Sequence, residues 1–290
     1  MGSADVVPGV SGGTMAFILG IYPRLINAIK LFDLDWLKAI CSFDLKQIIN
    51  KPDFVFLIPL GIGIVAGLFF FTRIIPLPVL IKTYPFIIYG FFFGLIFGSI
   101  LFLVRQLGFS QLLEESLFLL LGFLFGFFIV TRVPASTPND SWFIFICGAI
   151  AISAMILPGI SGSLILLMMK KYAYIFNAIG HLQFNVLLPF VAGLVVGMVL
   201  FSHLLSFLLS RFYEKTILFI TGLLIASMYV VWPFQYRQYE VVRDQERLIE
   251  SVPYIPAEFN VDVLSALLMM FIGLVLVIGF EIIANRTTEH

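Results

Sequence analysis

The chain has 290 residues, of which 61% are hydrophobic and only 12% are charged, and its mean hydropathy is +1.08. Soluble domains are about 45–50% apolar and about 25% charged, so this composition excludes a water-soluble protein. The formal net charge is zero, which argues against a nucleic-acid partner. The two cysteines, Cys41 and Cys147, are isolated in the sequence and do not make a metal site.

Six apolar segments are long enough to cross a bilayer, since a helix of about 20 residues spans the hydrocarbon region. They are 54–75, 84–104, 115–133, 186–210, 216–235 and 262–284. Two further apolar stretches, 4–29 and 142–179, are each interrupted by a Pro-Gly-x-Ser-Gly turn. The pieces on either side of the second turn are each about 24 Å long as helices, too short to cross comfortably. We therefore expect each stretch to be a re-entrant hairpin that enters and leaves on one side.

An internal repeat relates the two halves of the chain. Residues 3–29 and 153–179 align without a gap, and ten of the 27 positions are identical. The match continues from 57–67 to 187–197, where the first half carries 20 additional residues in its preceding loop. Chance similarity between apolar helices does not place the same Pro-Gly-x-Ser-Gly turn twice, so the pattern indicates a duplication.

The predicted fold is an all-α integral membrane protein with an inverted repeat, whose halves are residues 1–133 and 134–290. Each half has one re-entrant hairpin and three spanning helices, and this odd number makes the second half enter from the opposite face. Residues 30–53 form an amphipathic stretch suited to the membrane surface, and residues 236–261 form a polar loop. A solvated loop or surface helix is the simpler interpretation of both. Lysines and arginines divide almost evenly between the two sides, so absolute orientation stays open.

The two turns are the strongest candidates for a binding site. Irregular backbone survives in a membrane only where it is buried in protein or lines a cavity. Each turn precedes a new helix N-terminus, which favours anions, and Ser11, Thr14, Ser161 and Ser163 add hydroxyl donors. The alternative is that both turns are helix kinks that allow close packing. The symmetric repetition favours a shared pocket for an anionic headgroup near the membrane midplane.

Charged residues near the predicted membrane depth are further candidates. Asp5 stands at the mouth of the first turn and could accept a proton or cap a helix. Arg24 and Arg73 lie at predicted helix ends, where they either anchor the helices at the surface or complete a phosphate site. Lys170 and Lys171 follow the second hairpin and could attract an anion to its mouth. No metal-binding or nucleotide-binding motif is present in the sequence, so neither a metal nor another cofactor is expected.

The segments ADVVPGVSGGT, with the GIY that follows it, and LPGISGS resemble the polyprenyl-phosphate transporter family of bacteria, over essentially the whole chain. The resemblance implies a transporter that returns undecaprenyl phosphate across the cytoplasmic membrane for reuse as the lipid carrier of cell-wall precursors. It implies alternating access, with one half rocking against the other, and leaves direction, proton coupling and oligomeric state open. Carried onto this sequence, the headgroup residues are Asp5, Pro8, Gly9, Ser11, Gly12, Gly13 and Thr14, with Pro158, Gly159, Ser161, Gly162 and Ser163. Only about seven residues precede the first turn, so we expect its hairpin to lack part of its entering arm or to begin upstream.

Two other functions compete with this interpretation. Undecaprenyl-pyrophosphate phosphatases also resemble the chain, with inverted re-entrant repeats and a PGxSRS-like turn. Here Gly12 and Gly162 occupy the position of that arginine, and no acidic pair flanks either turn to act as a base. A transporter for a small soluble anion such as phosphate or sulfate is the second alternative.

Overall fold

A computed structural model of the chain describes residues 1–5, 11–75, 77–107, 109–131, 137–242 and 245–288. The described chain is mostly helical. Its helices are α1 Gly2–Asp5, α2 Gly12–Ile18, α3 Tyr22–Lys30, α4 Leu34–Cys41, α5 Leu45–Asn50, α6 Phe54–Phe69, α7 Leu77–Thr83, α8 Pro85–Leu107, α9 Phe109–Glu114, α10 Ser116–Val130, α11 Ser141–Ile156, α12 Gly162–Met168, α13 Tyr172–Gly180, α14 Phe184–Arg211, α15 Tyr213–Val231 and α16 Val261–Thr288.

In the described part of the chain, five helical segments are long and apolar enough to cross a membrane. They are Phe54–Ile74, in which α6 continues into the π-helical turn Phe70–Ile74, and Pro85–Arg105, Phe184–Arg211, Tyr213–Val231 and Val261–Gly279. These candidate spans agree with five of the six predicted segments and support a membrane protein. The sixth prediction, 115–133, corresponds to α10, which has only 15 residues and is about 22 Å long. This helix ends at Val130, and residues 132–136 lie outside the described part of the chain.

Close helix pairs build the interior of the protein. The most extensive contacts join α8 to α16, α10 to α15 and α11 to α14. A side chain on Gly94 of α8 would collide with the carbonyl of Met270 in α16, and one on Gly122 of α10 would collide with that of Phe219 in α15. Glycine lets these backbones approach closely, as is common between membrane helices. Helix α15 is buried most fully and also contacts α8.

The helix bounds repeat along the chain. Helices α2 and α12 begin and end 150 residues apart, and so do α3 and α13. Helices α6 and α14 begin at Phe54 and Phe184, the 130-residue register that the sequence alignment uses. These correspondences agree with a duplicated chain. The inverted relation of the halves and the re-entrant course of the hairpins stay predictions.

The packing of one pair of helices, α3 and α14, has no counterpart of similar extent in the other half of the described chain. Helix α3 packs along α14, and Ser206 of α14 joins the two helices by hydrogen bonds. The Lys30 Nζ donates to the Ser206 Oγ over 3.3 Å, and the Ser206 Oγ donates to the Asn27 Oδ1 over 3.0 Å. In the described chain, the equivalent pair of α13 and α6 makes no packing contact of comparable extent. Packing of these two repeat-equivalent helix pairs is therefore unequal in the described chain.

The two polar segments outside the spans contain regular secondary structure. Residues 30–53 contain α4 and α5, which Asp33 and Asp44 cap with their carboxylates. Phe43, between these helices, is 84% exposed, as expected for a segment that lies against a membrane surface. The second segment was predicted to be a loop or surface helix, and this is wrong, because it forms an antiparallel hairpin of β1 (Gln235–Val242) and β2 (Gln245–Pro253). Valine and tyrosine in β1 favour this extended structure.

Candidate functional site

The first turn ends at Ser11, whose side chain caps α2. The Ser11 Oγ accepts a hydrogen bond from the Gly13 N–H at 3.1 Å and donates one to the Met155 carbonyl at 3.3 Å. Serine is favoured at this capping position because its hydroxyl can accept from the free N–H groups of a first helical turn. The side chain is only 3% exposed. Met155 belongs to α11, so this capping residue connects the first turn to the helix that leads into the second.

Two further side chains of the first half reach the second turn. The Thr14 Oγ1, 1% exposed, accepts from the Gly159 N–H at 2.9 Å. The Tyr22 hydroxyl donates to the Ile156 carbonyl at 3.1 Å, and this side chain is fully buried. The carbonyls in the last turn of a helix lack partners within it, and lipid offers none. Hydroxyls from the first half therefore satisfy backbone groups where α11 ends.

The second turn is packed tightly between helices. Gly159 has a φ of +88°, a left-handed conformation that glycine adopts without strain. A Cβ on Gly159 would lie 2.9 Å from the Leu223 carbonyl of α15, and one on Gly162 would lie 2.5 Å from the Ala151 carbonyl of α11. Close backbone approach therefore requires glycine at both positions, and the left-handed conformation of the turn requires it at Gly159 as well.

The hydroxyls of the second turn have different surroundings from those of the first. The Ser161 Oγ and Ser163 Oγ lie 2.8 Å apart, and the pair is exposed. Gly13 corresponds to Ser163 in the repeat, but a Cβ on Gly13 would lie within 3.0 Å of the Met155 and Ile156 carbonyls. The described end of the first turn is thus buried against α11, while the second presents a pair of mutually hydrogen-bonded hydroxyls that can donate to an anion.

The remaining predicted residues divide into three groups. Gly12 is buried at the start of α2, beside Gly13. Pro158, also buried, precedes Gly159 and brings the end of α11 to the second turn. Pro8 and Gly9 lie outside the described residues, as does the side chain of Asp5.

The two predicted arginines lie apart from the turns. Arg24 pairs with Asp53, with 3.0 Å between the Nη2 and the Oδ2, and its guanidinium lies 4.6 Å from the centre of the Phe56 ring. Asp53 also caps α6, so this pair ties α3 to the start of α6. Arg73 is exposed in the π-helical turn after α6. In the described contacts, neither side chain hydrogen-bonds to the turns.

Lys171 makes hydrogen bonds within the protein that its position in the sequence did not predict. Its side chain is buried, and its Nζ donates to the Thr137 carbonyl at 2.8 Å and to the Asn139 Oδ1 at 2.5 Å. Lys171 precedes α13, so these hydrogen bonds join the start of α13 to the segment before α11. Lys170 is exposed, with a φ of +52°, at the position equivalent to Gly20 in the first half. Among the described residues, no cluster of three or more histidine, cysteine or acidic side chains could hold a metal ion.

Comparison with known proteins places the chain among lipid-phosphate transporters. A family model described as undecaprenyl phosphate translocase-like matches residues 1–249. The chain belongs to this family. A polyprenyl-phosphate transporter of Vibrio cholerae serotype O1 is 37% identical, over 99% of this chain and 94% of the relative. A polyprenyl-phosphate transporter of Staphylococcus aureus is 29% identical, over 80% of this chain and 83% of the relative. No solved structure matches the chain.

The undecaprenyl phosphate translocase-like match spans both turns. Tyr22 is the residue of this region that sequence reasoning missed. A signal was present, because Tyr22 and Tyr172 are among the identical positions of the internal repeat. A buried tyrosine hydroxyl in a membrane needs a hydrogen-bond partner, but the identity of that partner depends on contacts across 134 residues of chain.

Proposed function

We propose that this protein is a translocase that carries undecaprenyl phosphate across the bacterial cytoplasmic membrane, for recycling of the cell-wall lipid carrier. Family membership and the names of both relatives support a polyprenyl-phosphate substrate. The observation that carries the proposed headgroup site is the exposed pair of Ser161 and Ser163 hydroxyls, 2.8 Å apart, at the break between α11 and α12. The residues of the first turn complete the site by supporting the second.

The chemistry of the substrate suits this arrangement. A phosphate monoester is costly to remove from water unless several N–H and O–H donors replace the lost hydrogen bonds. Its isoprenoid tail is apolar and can stay in lipid while the headgroup crosses. Helix α6 exposes large apolar side chains along its length, among them Val55, Ile62 and Phe69, which would suit such a tail. The tail of a lipid substrate needs an apolar surface of this kind beside the headgroup site, whereas a free anion does not.

Unequal packing of equivalent helices supports alternating access. The contact of α3 with α14, held by Ser206, would close one side of the headgroup pocket. Among the described residues α13 and α6 make no comparable contact, which would leave the other side accessible. Transporters built from inverted repeats exchange two such arrangements around a central site. Asp5, beside the first turn, is our candidate for coupling this exchange to protons.

A phosphatase is less well supported by the second turn. The arginine of phosphatase-like turns would occupy the position of Gly162, where a Cβ would already lie 2.5 Å from the Ala151 carbonyl. An arginine side chain would need the backbone to move. The relatives are named as transporters rather than as enzymes.

Binding of undecaprenyl phosphate by the purified, reconstituted protein tests the proposal. We expect saturable binding that weakens by about tenfold or more in Ser161→Ala/Ser163→Ala, because hydrogen bonds to a charged group are each worth about 1.5–3 kcal/mol. Ser265→Ala is the matched control, since this exposed hydroxyl donates within its own helix. Its affinity should equal that of the wild type.

Free phosphate serves as the competitor in the same assay. Binding that resists a large excess of free phosphate would support a lipid-phosphate site. Full competition by free phosphate, or no lipid binding by the wild type, would indicate a small-anion transporter instead.

A further inference from the structure

Tyr22 occupies a position that a substrate cannot reach. Its side chain is fully buried, its hydroxyl donates to the Ile156 carbonyl at 3.1 Å, and its ring packs edge-on against Phe17 with 5.3 Å between centroids. Ile156 is the last residue of α11, and the second turn follows immediately. Tyr22 therefore acts on the backbone that leads into Ser161 and Ser163.

The end of α11 shows why this contact matters. In a continuing helix, the Gly159 N–H would donate to the Met155 carbonyl and the Ile160 N–H to the Ile156 carbonyl. Here the Gly159 N–H donates to Thr14, the Met155 carbonyl accepts from Ser11, and the Ile156 carbonyl accepts from Tyr22. Three hydroxyls of the first half thus replace helical hydrogen bonds where the chain turns.

The sequence makes this arrangement one-sided. In the repeat, Thr14 corresponds to Leu164 and Gly13 to Ser163. Only Thr14 of the first pair has a hydroxyl, and it accepts from the Gly159 N–H. Of the second pair, Gly13 has no side chain and lets the start of α2 approach the end of α11 closely. The second half carries the exposed hydroxyl pair. The two turns therefore differ in role: one supports and the other presents donors.

We propose that Tyr22 is a positioning residue for polyprenyl-phosphate binding, which fixes the end of α11 so that Ser161 and Ser163 face the phosphate headgroup together. This inference rests on the proposed function, since it names the residue that holds the same site. Tyr22 makes no contact with the substrate in this arrangement, and its effect passes through the serine pair.

A double-mutant cycle on binding affinity tests the inference. The dissociation constant for undecaprenyl phosphate is measured for the wild type, Tyr22→Phe, Ser163→Ala and the double variant, well below their unfolding temperatures. We expect Tyr22→Phe to weaken binding about threefold to tenfold. The double variant should bind within about twofold of Ser163→Ala, because removal of the Ser163 hydroxyl already breaks the pair that Tyr22 positions. A residue with a merely structural role would lower the unfolding temperature without this coupling to Ser163.

Tyr84→Phe is the matched control, because Tyr84 is 54% exposed and lies outside both turns. It should leave affinity unchanged. Unchanged affinity in Tyr22→Phe, or losses that multiply in the double variant, would overturn the positioning role. Failure of the wild type to bind the lipid would instead reject the proposed function.

A second variant covers the case in which Tyr22→Phe does not fold. Phe17→Leu removes the ring that packs against Tyr22 and leaves its hydroxyl in place. We expect a smaller loss of affinity with the same dependence on Ser163. Independence from Ser163 in this variant would also overturn the inference.

Discussion

Hydroxyl groups at the two turns have opposite exposures although the turns share their Pro-Gly-x-Ser-Gly pattern. Ser11 and Thr14 are 3% and 1% exposed and hydrogen-bond to α11 and to the second turn. The hydroxyls of Ser161 and Ser163 bond to each other at an exposed position. A buried polar group that loses its partner costs more than an exposed one. Substitutions of Ser11 and Thr14 should therefore lower stability, whereas substitutions of Ser161 and Ser163 should mainly weaken lipid binding.

At the residue scale, we predict that Thr14→Val destabilises the protein by about 1–3 kcal/mol, because the buried Gly159 N–H loses its acceptor. Thr14→Ser, which keeps the hydroxyl, should retain most of the stability. Thermal unfolding of the detergent-solubilised protein measures both variants.

The matched control for this prediction is Thr221→Val. Thr221 is also fully buried, but its hydroxyl donates only to the Ile217 carbonyl of its own helix. This substitution should change the unfolding temperature much less. Equal losses at Thr14 and Thr221 would show that the contact between the turns contributes nothing specific.

At the scale of helices, the contact between α3 and α14 is the clearest candidate for a closed side of the transport path. It brings the Asn27 Oδ1 and the Ser206 Oγ to 3.0 Å, and Lys30 adds a second hydrogen bond. Asn27 and Asn177 are identical positions of the repeat, so the equivalent contact would lie between α13 and the end of α6. Opening one contact while the other forms would change the accessible side.

We therefore predict that a cysteine pair at positions 27 and 206 cross-links readily in the resting protein, in a background without Cys41 and Cys147. The cross-link should stop transport of undecaprenyl phosphate in proteoliposomes, and reduction should restore it. The reason is that a covalent bond prevents α3 from leaving α14.

Asn177→Cys paired with Ile75→Cys is the control in the other half, since Ile75 lies next to Pro76, the position that corresponds to Ser206 in the repeat. It should cross-link poorly at rest and better when the lipid substrate is added. Full transport by the cross-linked 27–206 pair would contradict a closing role for this contact.

At the scale of the whole molecule, the two predicted halves are interwoven. Helix α10 of the first half packs on α15 of the second, and α16 of the second packs on α8 of the first. Movement of one half as a rigid body would break both contacts, which use close backbone approach at glycines. This packing favours motion of the hairpins with α6 and α14 around a core of α8, α10, α15 and α16.

The glycines where α8 packs on α16 are expected to tolerate little increase in side-chain size. We predict that Gly94→Leu lowers stability by about 3 kcal/mol or more, because any side chain at Gly94 collides with the Met270 backbone. Gly63→Leu is the matched control, since nothing lies within 4 Å of the Cβ position on this α6 glycine. Thermal unfolding of both variants provides the measurement, and equal stability would contradict a rigid core.

Composition and the internal repeat determined much of the fold without any structure. Apolar length alone located five of the spans within a few residues, because a bilayer leaves helices few alternatives. The matching bounds of α2 and α12 and of α3 and α13 agree with the duplication that the repeat indicates. The β-hairpin escaped this reasoning, since the pattern of residues 236–261 is polar and does not show which segments pair.

The sequence by itself determined that the protein spans a membrane, which family it resembles, and that Pro-Gly-x-Ser-Gly turns occur in both halves. These properties are local, because hydropathy, length and backbone chemistry act on neighbouring residues. Only the tertiary structure decided that Ser11, Thr14 and Tyr22 hold the end of α11, that Arg24 pairs with Asp53, and that Ser161 and Ser163 are the exposed pair. The partners of Ser11, Thr14 and Tyr22 lie more than a hundred positions away in the chain. Burial likewise depends on which helices pack around a residue, and two turns with the same pattern can therefore have different roles.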